Sequence, residues 1–194
     1  MQINPNTDSK NMESTSKKIG AGRKILAPIG VTYRIPKDKL LMEITCVCIQ
    51  DLENNGDEGK LHRETFWCTP RSAWRIANWA VAMRYNAAFD CEDRRDVENV
   101  IVAGGAFGAE IAIKDVNNYE VRECSSFFVP LDLISGDNLE LSQSQTSMIE
   151  RAETAFPKMV ASRKSYGVTF VEPKAERNDQ VASSEKDDFS DIPF

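Results

Sequence analysis

The chain has 194 residues, of which 41% are hydrophobic and 28% charged, and its formal net charge is −6. This length allows one ordinary domain with appendages but not two full-sized domains. A run of about 20 apolar residues is lacking, which excludes a membrane-spanning helix. The polar N-terminus has no apolar core of a secretory signal, so we expect a cytoplasmic protein with free cysteine thiols.

The negative charge is concentrated in two segments. Residues 172–194 carry seven acidic and three basic side chains, and residues 51–59 carry four acidic side chains and no basic one. The rest of the chain therefore has a small positive charge of +2. Because attraction to phosphates depends on where charges lie, a chain that is acidic overall but basic in its body remains compatible with nucleic-acid binding.

The first structured elements are predicted to be strands. Residues 1–20 are polar, as is typical of a disordered arm. Pro28 and Gly30 break the pattern that follows, and a charged, turn-rich loop over residues 51–60 separates the second and third strands. The runs of β-branched and aromatic residues predict strands at Val31–Ile35, Leu40–Gln50 and Leu61–Cys68.

The hydrophobic period then changes to that of a helix. Thr69 as N-cap and Pro70 at the first position predict a helix start. Arg71–Phe89 contains no breaker and is apolar over more than half of its circumference, which predicts one long, mostly buried helix. Its Trp74 and Trp79 are assigned to core or subunit packing. A shorter helix is predicted over Asp93–Val102.

A second hairpin is predicted after the glycines at 104, 105 and 108, which lack the spacing of a phosphate-binding loop. Its strands are Glu110–Val116 and Tyr119–Val129, joined at Asn117-Asn118. Met148–Ser162 is predicted to be an amphipathic helix and Tyr166–Val171 a short strand.

Three strands, a helix and two strands is the order of the OB-fold, a five-stranded Greek-key barrel that binds oligonucleotides. We therefore predict a mainly β protein with helices, in which residues 22–130 form an OB barrel with a long helix between strands three and four. Residues 131–171 would form an extension with a helix, and residues 172–194 a disordered acidic tail. Another small α+β domain is the alternative.

Binding of single strands requires cations for the phosphates and aromatic faces for the bases. Arg63, Thr65 and Trp67 share one face of the third strand, while His62 and Phe66 lie on the other. Both faces carry an aromatic ring, so the pattern leaves open which face is solvated. The predicted DNA-binding residues are Tyr33, Arg34, Arg63, Trp67, Lys114, Tyr119, Arg122 and Phe127.

The sequence offers little for catalysis or metal binding. We find no carboxylate pair or nucleophile–base set of the kind that enzymes use, so we expect no catalytic residues and no cofactor. His62 could be combined with Cys46, Cys48 and Cys68 into a zinc site, but no ligand spacing supports it. We therefore expect structural thiols and no metal.

The last eight residues, DDFSDIPF, place apolar side chains at the end of a polar linker. Exposing them costs solubility, so we expect a partner that covers them. Ile192 and Phe194 would fill a pocket, and the terminal carboxylate would meet an Arg or Lys. The predicted partner-binding residues are Asp187, Asp188, Phe189, Asp191, Ile192, Pro193 and Phe194.

This ending resembles the acidic tip of bacterial single-stranded DNA-binding proteins, in which several aspartates precede Ile-Pro-Phe. Residues 191–194 match position by position, and Thr65-Phe66-Trp67 followed by a helix is similar to the third strand and helix of the family's OB domain. The family's Gly-rich N-terminal strand motif is not evident, and residues 130–171 have no clear counterpart. A divergent body with a host-type tip suggests a phage or mobile-element version.

The resemblance implies a non-catalytic protein that coats single-stranded DNA during replication, recombination and repair. It also implies that the tip recruits partner proteins, that the protein works in the bacterial cytoplasm and that it forms a dimer or tetramer. Two alternatives stay open. One is an adaptor or decoy that occupies tip-binding pockets of the host without binding DNA, and the other is a small enzyme of nucleic-acid metabolism.

Overall fold

The structure, a computed structural model, describes residues 18–155. The predicted arm, the strand Tyr166–Val171, the acidic tail and its tip therefore lie wholly or almost wholly outside the described residues. Among residues 18–155, none of the helices has the length and apolar character that crossing a bilayer requires. The elements are β1 (Gly22–Arg34), β2 (Leu41–Asp51), β3 (Leu61–Trp67), α1 (Ala73–Ala82), α2 (Arg94–Gly104), β4 (Phe107–Val116), β5 (Tyr119–Phe128), β6 (Ile134–Ser135), β7 (Asn138–Leu139) and α3 (Gln143–Ala155).

Five strands form one antiparallel sheet in the order β3-β2-β1-β4-β5, and β6 pairs with β7 in a small separate sheet. The predicted mainly β architecture with helices is thus confirmed. The predicted closed barrel is not, because no backbone ladder joins β3 to β5 in the described part of the chain. Instead, the carboxylate of Glu64 on β3 accepts a hydrogen bond from the backbone N–H of Cys124 on β5, at 2.8 Å. A side chain thus stands where a barrel would have a backbone hydrogen bond.

β1 begins at Gly22, nine residues before the predicted start, and continues through both residues that the sequence pattern treats as breakers. The pairing of β1 with β2 shifts register between Pro28 and Gly30, which places a β-bulge there. β4 pairs with β1 only over Gly22–Leu26. At Pro28, β1 has no partner on the β4 side. The missing N–H of the proline therefore leaves no hydrogen bond of that ladder unmade, and the strand continues.

The inward face of the sheet and the helices α1 and α2 enclose the main core. Trp79 is fully buried there, and its ring lies 5.8 Å from Phe66 and 6.4 Å from Phe107. A second, smaller core lies on the opposite face, where residues of β1 and β2, among them Val47 and Ile49, pack with α3. The outward face of β2 is thus covered near its C-terminal end.

The predicted long helix Arg71–Phe89 is shorter than expected. Residues 70–72 form a 3-10 turn, and α1 ends at Ala82. Arg84 adopts a left-handed backbone with φ of 61°. The N–H of Arg84 donates to the carbonyl oxygen of Val81, and the N–H of Tyr85 donates to that of Ala80. This pattern is a Schellman C-cap, which usually contains glycine. Because arginine occupies the position that glycine usually takes, the sequence gives no indication that the helix ends there.

The acidic loop between β2 and β3 is built around buried ions. The Asp51 carboxylate accepts backbone N–H bonds from residues 53, 55 and 57. The fully buried ammonium of Lys24 lies 2.7 Å from Asp51 and 3.0 Å from Asp57, and Lys60 also pairs with Asp57. Two of the four acidic side chains in this segment are therefore neutralised inside the protein.

We expect Lys24→Met to destabilise the fold by about 3–5 kcal/mol, because it leaves two buried carboxylates without their shared cation. Urea unfolding at neutral pH measures the change. Lys114→Met is the matched control: it removes an exposed ion pair with Glu123 and should cost less than about 1 kcal/mol. Equal losses in the two variants would contradict the burial argument.

Candidate nucleic-acid interface

The alternation of β3 sorts its side chains between core and solvent. Arg63, Thr65 and Trp67 are exposed, whereas His62 and Phe66 are buried. The structure therefore decides the question that the sequence leaves open: the face with the cation and the large ring is the solvated one. Trp67 is 42% exposed although it is a large apolar side chain.

Trp67 lies in a groove of about 470 Å³ with a second tryptophan, Trp74, which is 63% exposed. The groove is formed by the turn between β1 and β2, the end of β3 and the start of α1. None of its lining residues is acidic. The lining residues are Lys37, Lys39, Trp67, Thr69, Arg71, Ser72, Trp74 and Arg75.

Short hydrogen bonds hold the turn that separates the two indoles. The Ser72 hydroxyl donates to the carbonyl oxygen of Trp67 at 2.5 Å and lies 2.6 Å from the Thr69 hydroxyl. On the other side of the groove, Lys37 and Asp38 both have left-handed backbones, with φ of 54° and 57°. Such conformations are costly for residues other than glycine and are common where a ligand is held.

Side chains of β3 and β5 contact each other through Glu64 and Cys124 and through Phe66 and Phe127, and we call this line of contacts the seam. Arg75 connects the groove to the seam. Its guanidinium donates to the Glu64 carboxylate at 2.5 Å. It also lies over the rings of Phe66 and Phe127, at 5.7 Å and 5.4 Å from their centroids. These contacts hold Arg75 in one position beside the two indoles.

The seam itself contains a buried cluster of polar groups. His62 Nε2 lies 3.0 Å from Glu64 Oε2 and 3.5 Å from Cys124 Sγ. Burial by itself would raise the pKa of Glu64, but hydrogen bonds from His62 and Cys124 lower it below its ordinary value of 4.5. Burial raises the pKa of the Cys124 thiol well above 9.0. Glu64 is thus the ionised member of the cluster and Cys124 a protonated thiol.

Two other predicted cations, Arg34 and Arg63, share the outward face of the sheet with Trp67. Their guanidinium groups lie 3.3 Å and 3.1 Å from the same carboxylate oxygen of Glu43, which is buried beneath them. Both arginine side chains remain about half exposed, so they still present charge to solvent.

The remaining predicted residues are not in the groove. Tyr33 packs against the main core and donates its hydroxyl to the carbonyl oxygen of Cys91 at 3.1 Å. Phe127 stacks on Phe66, with ring centroids 5.9 Å apart. Arg122 donates to the carbonyl oxygen of Ile19 at 2.6 Å. These three side chains have structural contacts that account for them.

Lys114 and Tyr119 lie near the end of the β4–β5 hairpin, on the same face of it. Tyr119 is 75% exposed, and Lys114 pairs with Glu123 across the hairpin. Neither side chain lines the groove. The hairpin is therefore a separate surface from the one that Trp67 and Trp74 form.

Of the residues predicted from the sequence to bind DNA, only Trp67 lines the groove. The sequence predicts core or subunit packing for both helix tryptophans: Trp79 is buried in the core, whereas Trp74 is exposed and is not a core residue. Arg71, Trp74 and Arg75 are spaced i, i+3 and i+4, which places them on one side of a helical segment. That spacing indicates in the sequence that the three side chains lie together. The prediction of a mostly buried helix gives no weight to it. Lys37 and Lys39 carry no local signal beyond their charge.

The chain matches no model of a known protein family. No curated protein is similar enough to count as a relative.

The free energy of unfolding should fall as the pH drops below about 4.5. Three buried carboxylates, Asp51, Asp57 and Glu64, have folded pKa values below their ordinary ones of 3.8, 3.8 and 4.5. A lowered folded pKa contributes stability above the unfolded pKa, and this contribution disappears as protons bind at lower pH. Chemical unfolding between pH 3 and pH 7 measures it. Glu64→Gln should make the curve less steep, and an unchanged slope would contradict this role.

Proposed function

We propose that this protein binds single-stranded DNA in the groove between Trp67 and Trp74, through an OB-like domain and without catalysis. The observation that carries the proposal is the lining of that groove, in which two exposed indoles stand among four cations and no acid. Indole faces stack on bases of any sequence, and cations attract the phosphates between them. The expected activity is coating with little sequence preference.

The sheet order supports the OB assignment. In the order β3-β2-β1-β4-β5, the strands β3 and β5 are the two edges, and an OB barrel needs only these edges to meet. They approach through Glu64 and Cys124 and through the stacked rings of Phe66 and Phe127. The helices α1 and α2 lie between β3 and β4 in the chain, at the place where the OB-fold has its helix.

The resemblance of the C-terminal tip supports a role in replication, recombination and repair. On this proposal the domain holds DNA while the tip recruits proteins that process it, in the cytoplasm of a bacterium and from a phage or mobile element. The exposed apolar residues Ala77 and Val81 on α1, which do not line the groove, are compatible with assembly into a dimer or tetramer.

A titration with oligo-dT at low and high salt tests the proposal. Tryptophan fluorescence should be quenched through Trp67 and Trp74, since Trp79 is fully buried. Trp67→Ala and Trp74→Ala should each weaken binding by about 1–3 kcal/mol, the usual contribution of one stacked base. Tyr119→Ala, which removes an exposed ring outside the groove, should cost less than either. If both tryptophan variants bind as the wild type does, the DNA lies elsewhere.

The dependence of binding on salt identifies the phosphate contacts. Each cation that contacts the strand should contribute about 0.7 to the slope of log K against log salt. Arg71→Ala should reduce the slope by that amount, whereas Arg151→Ala, an exposed arginine on α3 outside the groove, should leave it unchanged. Absence of any binding at low salt would instead favour the adaptor that carries the tip without holding DNA.

Deletion of Phe194 should abolish binding to a host exonuclease or helicase that recognises such tips. Burial of a phenylalanine side chain in a partner's pocket contributes about 1.5–3 kcal/mol. Affinity for oligo-dT and the melting temperature should not change. A large fall in melting temperature would show that the tip packs on its own domain and would overturn the recruitment role.

A further inference from the structure

The buried cluster between β3 and β5 has no part in the DNA-binding groove as proposed above. We propose that His62, Glu64 and Cys124 form a structural zinc site that fastens these two strands together. Their potential ligand atoms lie within 4.8 Å of one another, and all three residues are buried. The site stands on its own geometry and does not depend on the proposed function.

Two of the three distances between the ligand atoms are close to those of a tetrahedral site. With metal–nitrogen and metal–oxygen bonds near 2.1 Å and a metal–sulfur bond near 2.3 Å, tetrahedral angles place nitrogen and oxygen about 3.4 Å apart and nitrogen and sulfur about 3.6 Å apart. His62 Nε2 lies 3.0 Å from Glu64 Oε2 and 3.5 Å from Cys124 Sγ. Movements of a few tenths of an ångström would suffice to admit the ion.

Cys46 of β2 lies outside the group of three whose ligand atoms are all within 4.8 Å of one another, and we assign it as the fourth ligand from its place in the sheet. Cys46 is the register partner of His62 across the β2–β3 ladder, and it is fully buried. Directly opposed side chains of an antiparallel pair have Cβ atoms about 4.5–5.5 Å apart and project to the same side of the sheet. The complete site would hold two thiolates, one imidazole and one carboxylate.

The charges of such a site balance inside the protein. The thiols of Cys46 and Cys124 each lose a proton to solvent as sulfur bonds to zinc, so two thiolates and the Glu64 carboxylate contribute three negative charges. Zinc contributes two positive charges and the Arg75 guanidinium, 2.5 Å from the other carboxylate oxygen of Glu64, contributes the third. Net neutrality matters because an unbalanced buried charge is strongly unfavourable.

Arg75 also supplies the outer support that metal-bound carboxylates commonly have. It bonds to Glu64 Oε1 and leaves Oε2 directed toward His62 and Cys124. With four protein ligands no position remains for water or substrate, which is the arrangement of structural rather than catalytic zinc.

Cobalt titration of the chelator-treated, reduced full-length protein tests the site. We expect one cobalt ion per chain, with the absorption of a thiolate-ligated tetrahedral ion, and displacement of that ion by zinc. Cys124→Ser should weaken metal binding at least about 100-fold. Cys68→Ser, a buried thiol outside the cluster, should bind as the wild type does. No thiolate band in the wild type, or a band that Cys124→Ser leaves unchanged, would overturn the proposal.

A measurement on the wild type alone covers the case in which the serine variant does not fold. Zinc should raise the melting temperature, and a chelator should reverse the gain. Because both thiols are buried in the fold, alkylation is carried out in urea near the unfolding midpoint and mapped by mass spectrometry, where it should show zinc-dependent protection of Cys46 and Cys124. If zinc neither raises the melting temperature nor protects these two thiols, the cluster is a hydrogen-bonded network and the zinc site is wrong.

Discussion

The buried carboxylate of Glu64 holds the two edges of the sheet to each other. One of its oxygens accepts hydrogen bonds from His62 on its own strand and from the backbone of Cys124 on β5, and the other accepts from Arg75. No backbone ladder in the described residues performs this task between β3 and β5. An ionised group in such a place must be fully paired, because removing one partner leaves an uncompensated charge in the interior. The contact between β3 and β5 therefore depends on keeping every partner of the Glu64 carboxylate in place.

The seam and the groove share one residue. Arg75 belongs to both, since it pairs with Glu64 and also lines the groove with Trp67 and Trp74. A cation that is fixed in this way loses little side-chain freedom when a phosphate binds, which reduces the cost of binding. Arg75 therefore links the side-chain contact between β3 and β5 to part of the proposed interface.

The two ends of the outward face of the sheet differ in what covers them. At one end of β2, α3 covers Val47 and Ile49 and forms the second core. At the other end, Glu43 holds Arg34 and Arg63 at the surface. Side chains of β1 alternate between the two cores, and the bulge near Pro28 shifts the alternation so that Leu26 before it and Val31 after it both face the main core. The end of this face that carries Arg34 and Arg63 therefore stays open without exposing the cores.

Local sequence patterns determined the elements that depend on neighbouring residues. Runs of β-branched and aromatic residues predicted β2 and β3 to within about one residue at each end. Asn117-Asn118 is the hairpin turn, with both residues left-handed as this turn requires. The bulge at Pro28 and the arginine cap of α1 were missed, since the local signals there contradict the structure that forms. The ending DDFSDIPF carries its functional suggestion within eight residues, independently of the fold.

Only the tertiary structure decided which distant residues meet. His62 and Cys124 are 62 residues apart, and no spacing rule relates them. The two indoles of the groove lie close in the chain, yet their exposure depends on which side of α1 the sheet covers, and Trp79 on the same helix is buried. Helix periodicity defines faces but does not say which one the core will take, because that choice is made by packing against strands elsewhere in the chain.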